Sequence, residues 1–345
     1  MYLLIFILEM KGEQYTLKDL AKALNLSVST VSRALRNHPD VNEATKKKVQ
    51  QFAEEVEFQK NPIASGLRKH KTNAIGVIVP EIANYFFSQV IDGIQTIAYQ
   101  AGYNVLICVS DESLEKEQAI TKHLVNSRVD GLLVALSVET NHYEHFDFVN
   151  RKNVPLILID RVTDQVPAST ITTNNYEASF EAVEYLIHQG HRQIAHIAGP
   201  KGQTITRQRL QGYLDALKKH AIDIQEQLIE SGGYTQEGGE ACAKSFWTLG
   251  EKPEAIFAVN DRAAIGAMRF FKSVGVAIPD QMSIIGFNNN PMGEIIEPNL
   301  STIVQPQFEM GASAAQLVLE QINQEEYTHQ HLTLPSKLAI RKSTL

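Results

Sequence analysis

The sequence predicts a small all-α head of helix-turn-helix form, followed by an α/β body of two doubly wound parallel-sheet lobes. Three observations carry that reading. Residues 15–60 hold three short helical stretches, each preceded by a residue suited to cap it. Beyond Lys71, near-continuous apolar runs of strand length alternate with segments of helical period, as expected of parallel strands buried on both faces. Charge divides at the same place. Residues 15–71 carry 11 Lys/Arg against 6 Asp/Glu, a balance of +5, whereas residues 72–345 carry 20 against 31, a balance of −11. A basic head on an acidic body implies that the head meets a polyanion and the body does not.

The chain has 345 residues, 43% hydrophobic and 21% charged, an ordinary composition for a soluble globular protein with room for two or three domains. Cys108 and Cys242 lie in apolar segments without paired spacing. That predicts neither a disulfide framework nor a zinc site, and points to a reducing cytoplasm. The opening M-Y-L-L-I-F-I-L is too short to span a bilayer and lacks a basic flank or a small-residue cleavage site. Residues 1–14 are read as an extension outside the fold, with Met10 a candidate start, and no membrane partner is expected.

In the head, Thr16-Leu17-Lys18-Asp19 reads as a capping box with Asp in place of Glu, opening a helix through Leu24. Leu17, Leu20, Ala21 and Leu24 share one face of it. After the turn Asn25-Leu26, Ser27 caps a second helix over 28–36, with Val31, Ala34 and Leu35 inward and Val28, Ser29, Thr30 and Arg33 outward. Asn42 caps a third helix reaching Val56, whose inner side is Val49, Phe52, Ala53 and Val56. A generic three-helix core would also fit. The small polar residues exposed at the start of the second helix favour a DNA reader, because side chains there reach base edges in a major groove. The linker 61–71, N-P-I-A-S-G-L-R-K-H-K, reads as a short hinge helix capped by Asn61, with Pro62 in its first turn. A basic helix presenting Leu67 can wedge an apolar side chain into a minor groove. A solvated tether is the alternative.

In the body, strands are expected from Ala74, Asn104, Gly131 and Pro155, then over 193–199, 255–261 and 282–288. Helices around 177–189, 206–220 and 262–274 alternate with the second series. The strand 300–305 and the helix 309–323 are expected to cross back and complete the first lobe. That assigns lobe 1 to about 72–170 and 304–330, and lobe 2 to about 171–303 and 331–345. Gly232-Gly233 and Gly238-Gly239 read as turns. Ligands of open parallel sheets bind beyond the carboxyl ends of strands. Those ends carry Tyr85, Phe86, Asp111, Ser137, Asp160-Arg161, Gly199-Pro200, Asn260-Asp261 and Asn288-Asn289-Asn290, and Arg207 is the cation the pattern puts at the centre. Each polar residue alone reads equally as a strand-end cap. Together they suit a small polyhydroxylated or amide-rich ligand better than a nucleotide, whose phosphates would want glycine-rich loops at helix N-termini.

The motifs Y-T-L-K-D-L-A-K-A-L-N-L-S-V-S-T-V-S-R-A-L and N-P-I-A-S-G-L resemble the head of LacI/GalR-family transcriptional repressors. The resemblance runs on through A-I-G-V-I-V-P, D-G-L-L-V, A-G-P…R-Q-R-L-Q-G-Y, A-I-F-A-V-N-D-R-A-A-I-G-A-M and I-P-D-Q-M-S-I-I-G-F. It implies lobes of the periplasmic-binding-protein type, a homodimer on a palindromic operator in double-stranded DNA, and a sugar or related metabolite in the cleft that alters DNA affinity. It implies that Val28 and Ser29 read bases, with Arg33 a further base or phosphate contact. It implies that Thr16 and Thr30 position the backbone, that Leu17, Ser27 and Asn61 belong to the same DNA-binding set, and that Leu67 enters the minor groove. Tyr85, Phe86, Asp160, Arg207, Tyr234, Asn260 and Asn288 match effector-contact positions. At Asn288 the family usually has Asp, so an uncharged amide replaces the acidic grip on a hydroxyl. The sequence stops after R-K-S-T-L without a leucine-heptad tail, and a dimer is the expectation.

Other classes fit less of the chain. A periplasmic sugar-binding protein would use the body alone and leave 15–71 without a role. An enzyme would need concentrated catalytic groups, yet the 11 histidines are dispersed. His188 and His191 flank a helix end, and His329 and His331 lie in a late polar loop. No catalytic group, cofactor or metal set is expected.

Overall fold

The computed structural model describes residues 15–56, 58 and 71–345. It divides into two units, one up to Thr72 and one over Asn73–Leu345. The expected extension (1–14) and the expected hinge helix, including Asn61 and Leu67, lie outside the described residues apart from Lys71.

The head contains helices α1 (Leu17–Leu24), α2 (Val28–Ala34) and α3 (Glu43–Glu55). Thr16 closes the capping box: its N–H and hydroxyl donate to Asp19 Oδ2 at 2.9 and 2.5 Å. The shorter Asp therefore serves where Glu is usual. Helix α1 stops because Asn25 turns left-handed, at φ 55°. Helix α2 ends at Ala34, earlier than expected, and Leu35 caps it. Leu20, Ala21, Leu24, Val31, Ala34, Val49, Phe52 and Ala53 form the common core.

The second unit runs β1 (Ala74–Val79), α4 (Tyr85–Gln100), β2 (Asn104–Val109), α5 (Leu114–Asn126), β3 (Gly131–Val134), α6 (Glu144–Arg151), β4 (Leu156–Ile159), β5 (Ser169–Thr173), α7 (Asn175–His188), β6 (Ile194–Ala198), α8 (Thr204–Lys219) and β7 (Ile229–Ser231). It continues with α9 (Gln236–Trp247), β8 (Ala255–Ala258), α10 (Asp261–Ser273), β9 (Ser283–Phe287), α11 (Met292–Ile295), β10 (Ser301–Val304), α12 (Gln307–Ile322), β11 (His331–Leu334) and β12 (Lys337–Ala339). The sheets are ordered β11-β5-β4-β3-β1-β2 and β12-β10-β9-β8-β6-β7. Among the described residues only the β10–β12 pair is antiparallel. Strands β3, β4, β6, β8 and β9 are buried along their whole length, which is why they read as near-continuous apolar runs. Among the described residues no helix is long and apolar enough to cross a membrane.

Four expectations are corrected. The late strand, β10, pairs with β9 and so belongs to the second sheet, while α12 packs on α4 and across β3, β4 and β5 of the first. Residues 331–334 form β11 beside β5 in the first sheet rather than in lobe 2. Strand β5 itself runs to Thr173, past the expected boundary. Gly238 and Gly239 lie in the first turn of α9, capped by Thr235, whereas Gly233 is in a turn, at φ 65°. Gly239 is there for close approach: a Cβ on it would lie 2.1 Å from Ala263 O of α10.

Within the described body the chain thus passes between lobes three times, after β5, after β10 and after β11. These crossings are tied side by side. Gln305 Nε2 donates to Thr173 Oγ1 at 2.9 Å, and Ser336 N–H donates to Asn174 Oδ1 at 2.7 Å. Three short parallel connections with few bonds between them make a hinge.

Candidate functional site

In the head, α2 exposes Val28, Ser29 and Arg33 while burying Val31 and Ala34. Ser27 Oγ accepts the Thr30 N–H at 3.0 Å and lies 2.8 Å from both Ser29 Oγ and Thr30 Oγ1. The three hydroxyls form one network at the helix N-terminus, where free N–H groups and the dipole favour an anion. Thr16 is held in the capping box and Leu17 is half-buried against the core, so these two set the position of α1.

In the body, the carboxyl ends of the two sheets face each other across a cleft. Asp160 follows β4 at φ 62°, is 5% exposed, and its Oδ1 has no hydrogen-bond partner. Burial pushes its carboxyl above the usual range, against the pull of Arg209 and Arg161. Arg161 Nη1 donates to Glu112 Oε2 at 2.6 Å, and its guanidinium lies 4.7 Å from the centre of the Tyr234 ring. The Tyr234 hydroxyl is 3.1 Å from Thr206 Oγ1. Arg209, 2% exposed, donates through Nε to Asn175 Oδ1 at 2.9 Å and through Nη1 to Val259 O at 2.6 Å. Its guanidinium lies over Phe287 at 3.6 Å, and burial brings its pKa down to about 10.

Arg209 corrects the assignment of Arg207, which is exposed. Two residues along a helix turn a side chain by roughly 200°, so the two arginines point to opposite sides. The signal was present in the sequence: Ile205, Arg209, Gly212, Tyr213 and Ala216 share the buried face of α8, with Arg209 in phase and Arg207 out of it. Asp111 is likewise outside the cleft, exposed and paired with Lys116 at 2.5 Å. Its neighbour Glu112 reaches Arg161 instead. Tyr85, Phe86, Asn260 and Asn288 do line one pocket, together with Asn84, Asp261, Arg262 and Asn290. Asn260 also caps α10, accepting Ala263 N–H at 2.8 Å and donating to Tyr234 O at 3.1 Å. Asn288, at φ 104°, has a buried Oδ1 without a partner.

Sequence reasoning missed Gln305, and it named Asp261 only as a strand end beside Asn260. Gln305 Oε1 is buried without a partner. Asp261, 1% exposed, accepts from Thr302 Oγ1 at 2.6 Å and from Asn290 N at 2.5 Å. Burial outweighs those bonds and pushes its pKa up to about 7.

Several contacts cross the cleft. Arg262 Nη1 of α10 donates to Glu81 Oε2 at 2.7 Å, Gln203 Nε2 to Ser137 O at 3.1 Å, and Thr204 Oγ1 to Val162 O at 2.8 Å. With Arg161 against Tyr234, these hold the lobes closed.

Known proteins share this arrangement. Residues 16–61 match the family described as bacterial regulatory proteins, lacI family, and residues 183–344 match a periplasmic binding protein-like domain. Catabolite control protein A of Priestia megaterium is 32% identical over 333 residues, spanning 95% of this chain and 99% of the relative. The chain belongs to the LacI family. The HTH-type transcriptional repressor CytR of Escherichia coli (strain K12) is 33% identical, over 95% of this chain and 96% of the relative. The crystal structure of the Lac repressor dimer bound to operator and the anti-inducer ONPF matches with a TM-score of 0.85 at 27% identity, covering 96% of this chain and all of that one. As a LacI-family member, the chain is a DNA-binding transcriptional repressor regulated by an effector ligand. The head is its DNA reader and the two-lobed body is its effector domain.

Proposed function

We propose that two copies of this chain bind a palindromic operator through α2 of each head, and that a small polyhydroxylated metabolite, a sugar or sugar derivative, sets the operator affinity from the interlobe cleft. One observation carries the choice of ligand. Asp160 Oδ1, Asn288 Oδ1, Gln305 Oε1 and Arg161 Nε are buried without hydrogen-bond partners. Buried polar atoms are normally satisfied. Three of these are acceptors and one is a donor, so the ligand that completes them is rich in donors, as hydroxyl groups are. A carboxylate or phosphate would leave the three acceptors unmet. The exposed ring of Tyr85 beside this pocket suits the C–H face of a sugar, whereas Phe86 is buried in the core below it.

A thermal-shift screen of sugars, sugar phosphates and nucleobases tests the cleft, because a ligand that binds only the folded state raises its melting point. A neutral sugar is expected among the hits. Stabilisation by anions alone would overturn the assignment. For the head, Val28 and Ser29 are the proposed base readers and Arg33 a base or phosphate contact. Replacing Ser29 should alter operator preference at one or two base pairs, by about 1–3 kcal/mol for each good base pairing it removes. An unchanged preference in a binding-site selection removes Ser29 from the reading set. Leu67 is the proposed minor-groove wedge, and Leu67→Ala should cost specific affinity and DNA bending far more than non-specific affinity.

A further inference from the structure

We propose a divalent-metal site at the C-terminal ends of α7 and α8, formed by Glu184, His188 and His220, that takes a borderline cation of the Zn2+ class. Glu184 and His188 stand four residues apart in α7, so they share a face one turn apart. His220 is the C-cap of α8. Helix packing brings it across: a Cβ on Gly212 of α8 would lie 2.4 Å from Tyr176 O of α7, so the two backbones touch. Glu184 Oε1 lies 2.6 Å from His220 Nε2, and the His188 and His220 rings stand edge to face with centres 5.3 Å apart. One ligand atom from each residue falls within 4.8 Å of the others.

Two imidazoles and a carboxylate are the donor set that binds zinc with a fourth position left for water. Ligands at about 2.0–2.1 Å around a tetrahedral centre stand roughly 3.4 Å from one another, so the three atoms need only small movements. His188 is exposed and free to make them. One cation competes. Lys219 Nζ lies 2.7 Å from the same Glu184 oxygen, and 5.2 Å from the Phe180 ring. Its side chain is 56% exposed, so it can withdraw into solvent when a metal arrives. The site is separate from the cleft, yet it would brace the helix pair that carries Arg209 and Asn175.

Isothermal titration of ZnCl2 into the untagged full chain tests it. One saturable site is expected in the wild type, and His188→Ala should weaken it by more than about tenfold, the least that losing a ligand costs when outer-shell changes alone cost 10–100-fold. His188→Ala leaves the metal-free melting point unchanged, since the ring is exposed. Lys219→Ala, which removes the competing cation, should tighten binding. Absence of saturable heat in the wild type overturns the proposal. So does an identical isotherm for His188→Ala, which would put the metal on other histidines such as His329 and His331.

Discussion

Arg209 and Arg207 make a paired test at the scale of single residues. Arg209 is fully buried with Asn175 Oδ1, Val259 O and the Asp160 charge around it. Arg209→Ala removes one of the two arginines that face the buried Asp160 carboxyl and takes the donor from Val259 O, which should cost about 3–5 kcal/mol of stability and abolish the effector response. Arg207→Ala removes an exposed side chain and should stay within about 0.5 kcal/mol with the response intact. Urea unfolding and effector titration of both variants decide the matter, and equal losses would return Arg207 to the cleft. Asp261 gives a pH prediction. Its carboxyl is pushed from an ordinary 3.8 up to about 7 in the folded chain. Between those values the folded state holds a proton that the unfolded state has released, so this group's contribution to stability falls as pH rises through that window, by a few kcal/mol. Asp261→Asn cannot ionise, and its amide can accept from Asn290 N–H while facing the rotatable Thr302 hydroxyl. Its urea midpoint relative to wild type should therefore be higher at pH 8 than at pH 5.

Helix pairs govern the next scale. Three pairs, α4 with α12, α7 with α8 and α9 with α10, pack most closely in the body, and each meets at glycine. A Cβ on Gly311 would lie 1.9 Å from Val90 O, and one on Gly266 would lie 1.9 Å from Gln236 O. These positions face backbone, which cannot yield as a side-chain end does. Gly311→Ala or Gly266→Ala should each force two helices apart and cost about 1–3 kcal/mol, read as a lowered melting point. In the head, Ser27→Ala removes the cap of α2 and should cost about 1 kcal/mol. It also frees the Ser29 and Thr30 hydroxyls, so operator preference should shift together with stability.

Closure of the lobes belongs to the whole molecule. The Glu81–Arg262 pair crosses the cleft with side chains 39% and 34% exposed, so its strength is that of a partly solvated ion pair, about 1 kcal/mol at most. Neither residue supplies an unpartnered atom to the proposed ligand. Glu81→Gln should then weaken effector affinity by no more than about fivefold, through the closed population alone. A larger loss in calorimetry would mean that Glu81 touches the ligand. DNA affinity should fall steeply with salt, in proportion to the phosphates that the head neutralises.

The periodicities and caps determined most of what was legible in the sequence. Thr16, Ser27 and Asn42 are local signals, read through contacts two or three residues away, and they placed α1, α2 and α3. Strands β1, β3, β4, β6, β8 and β9 announced themselves because burial on both faces leaves them almost wholly apolar, with His196 and Ser283 the buried polar exceptions. Short edge strands such as β7, with its half-exposed Ile229 and Glu230, carry no such signature. The lobe assignment of β10 and β11 depended on which neighbour each strand found, and Ile303↔Phe287 and Leu332↔Ile171 are long-range pairings that local composition does not encode. The cleft divided in the same way. Strand ends named Asp160, Asn260 and Asn288, but the arginine at its centre depended on the phase of α8, and the Glu112 beside Arg161 on a turn with positive φ. The meeting of Glu184 and His188 with His220 came from tertiary structure alone, because the two histidines stand 32 positions apart and become neighbours only when α7 and α8 pack at Gly212.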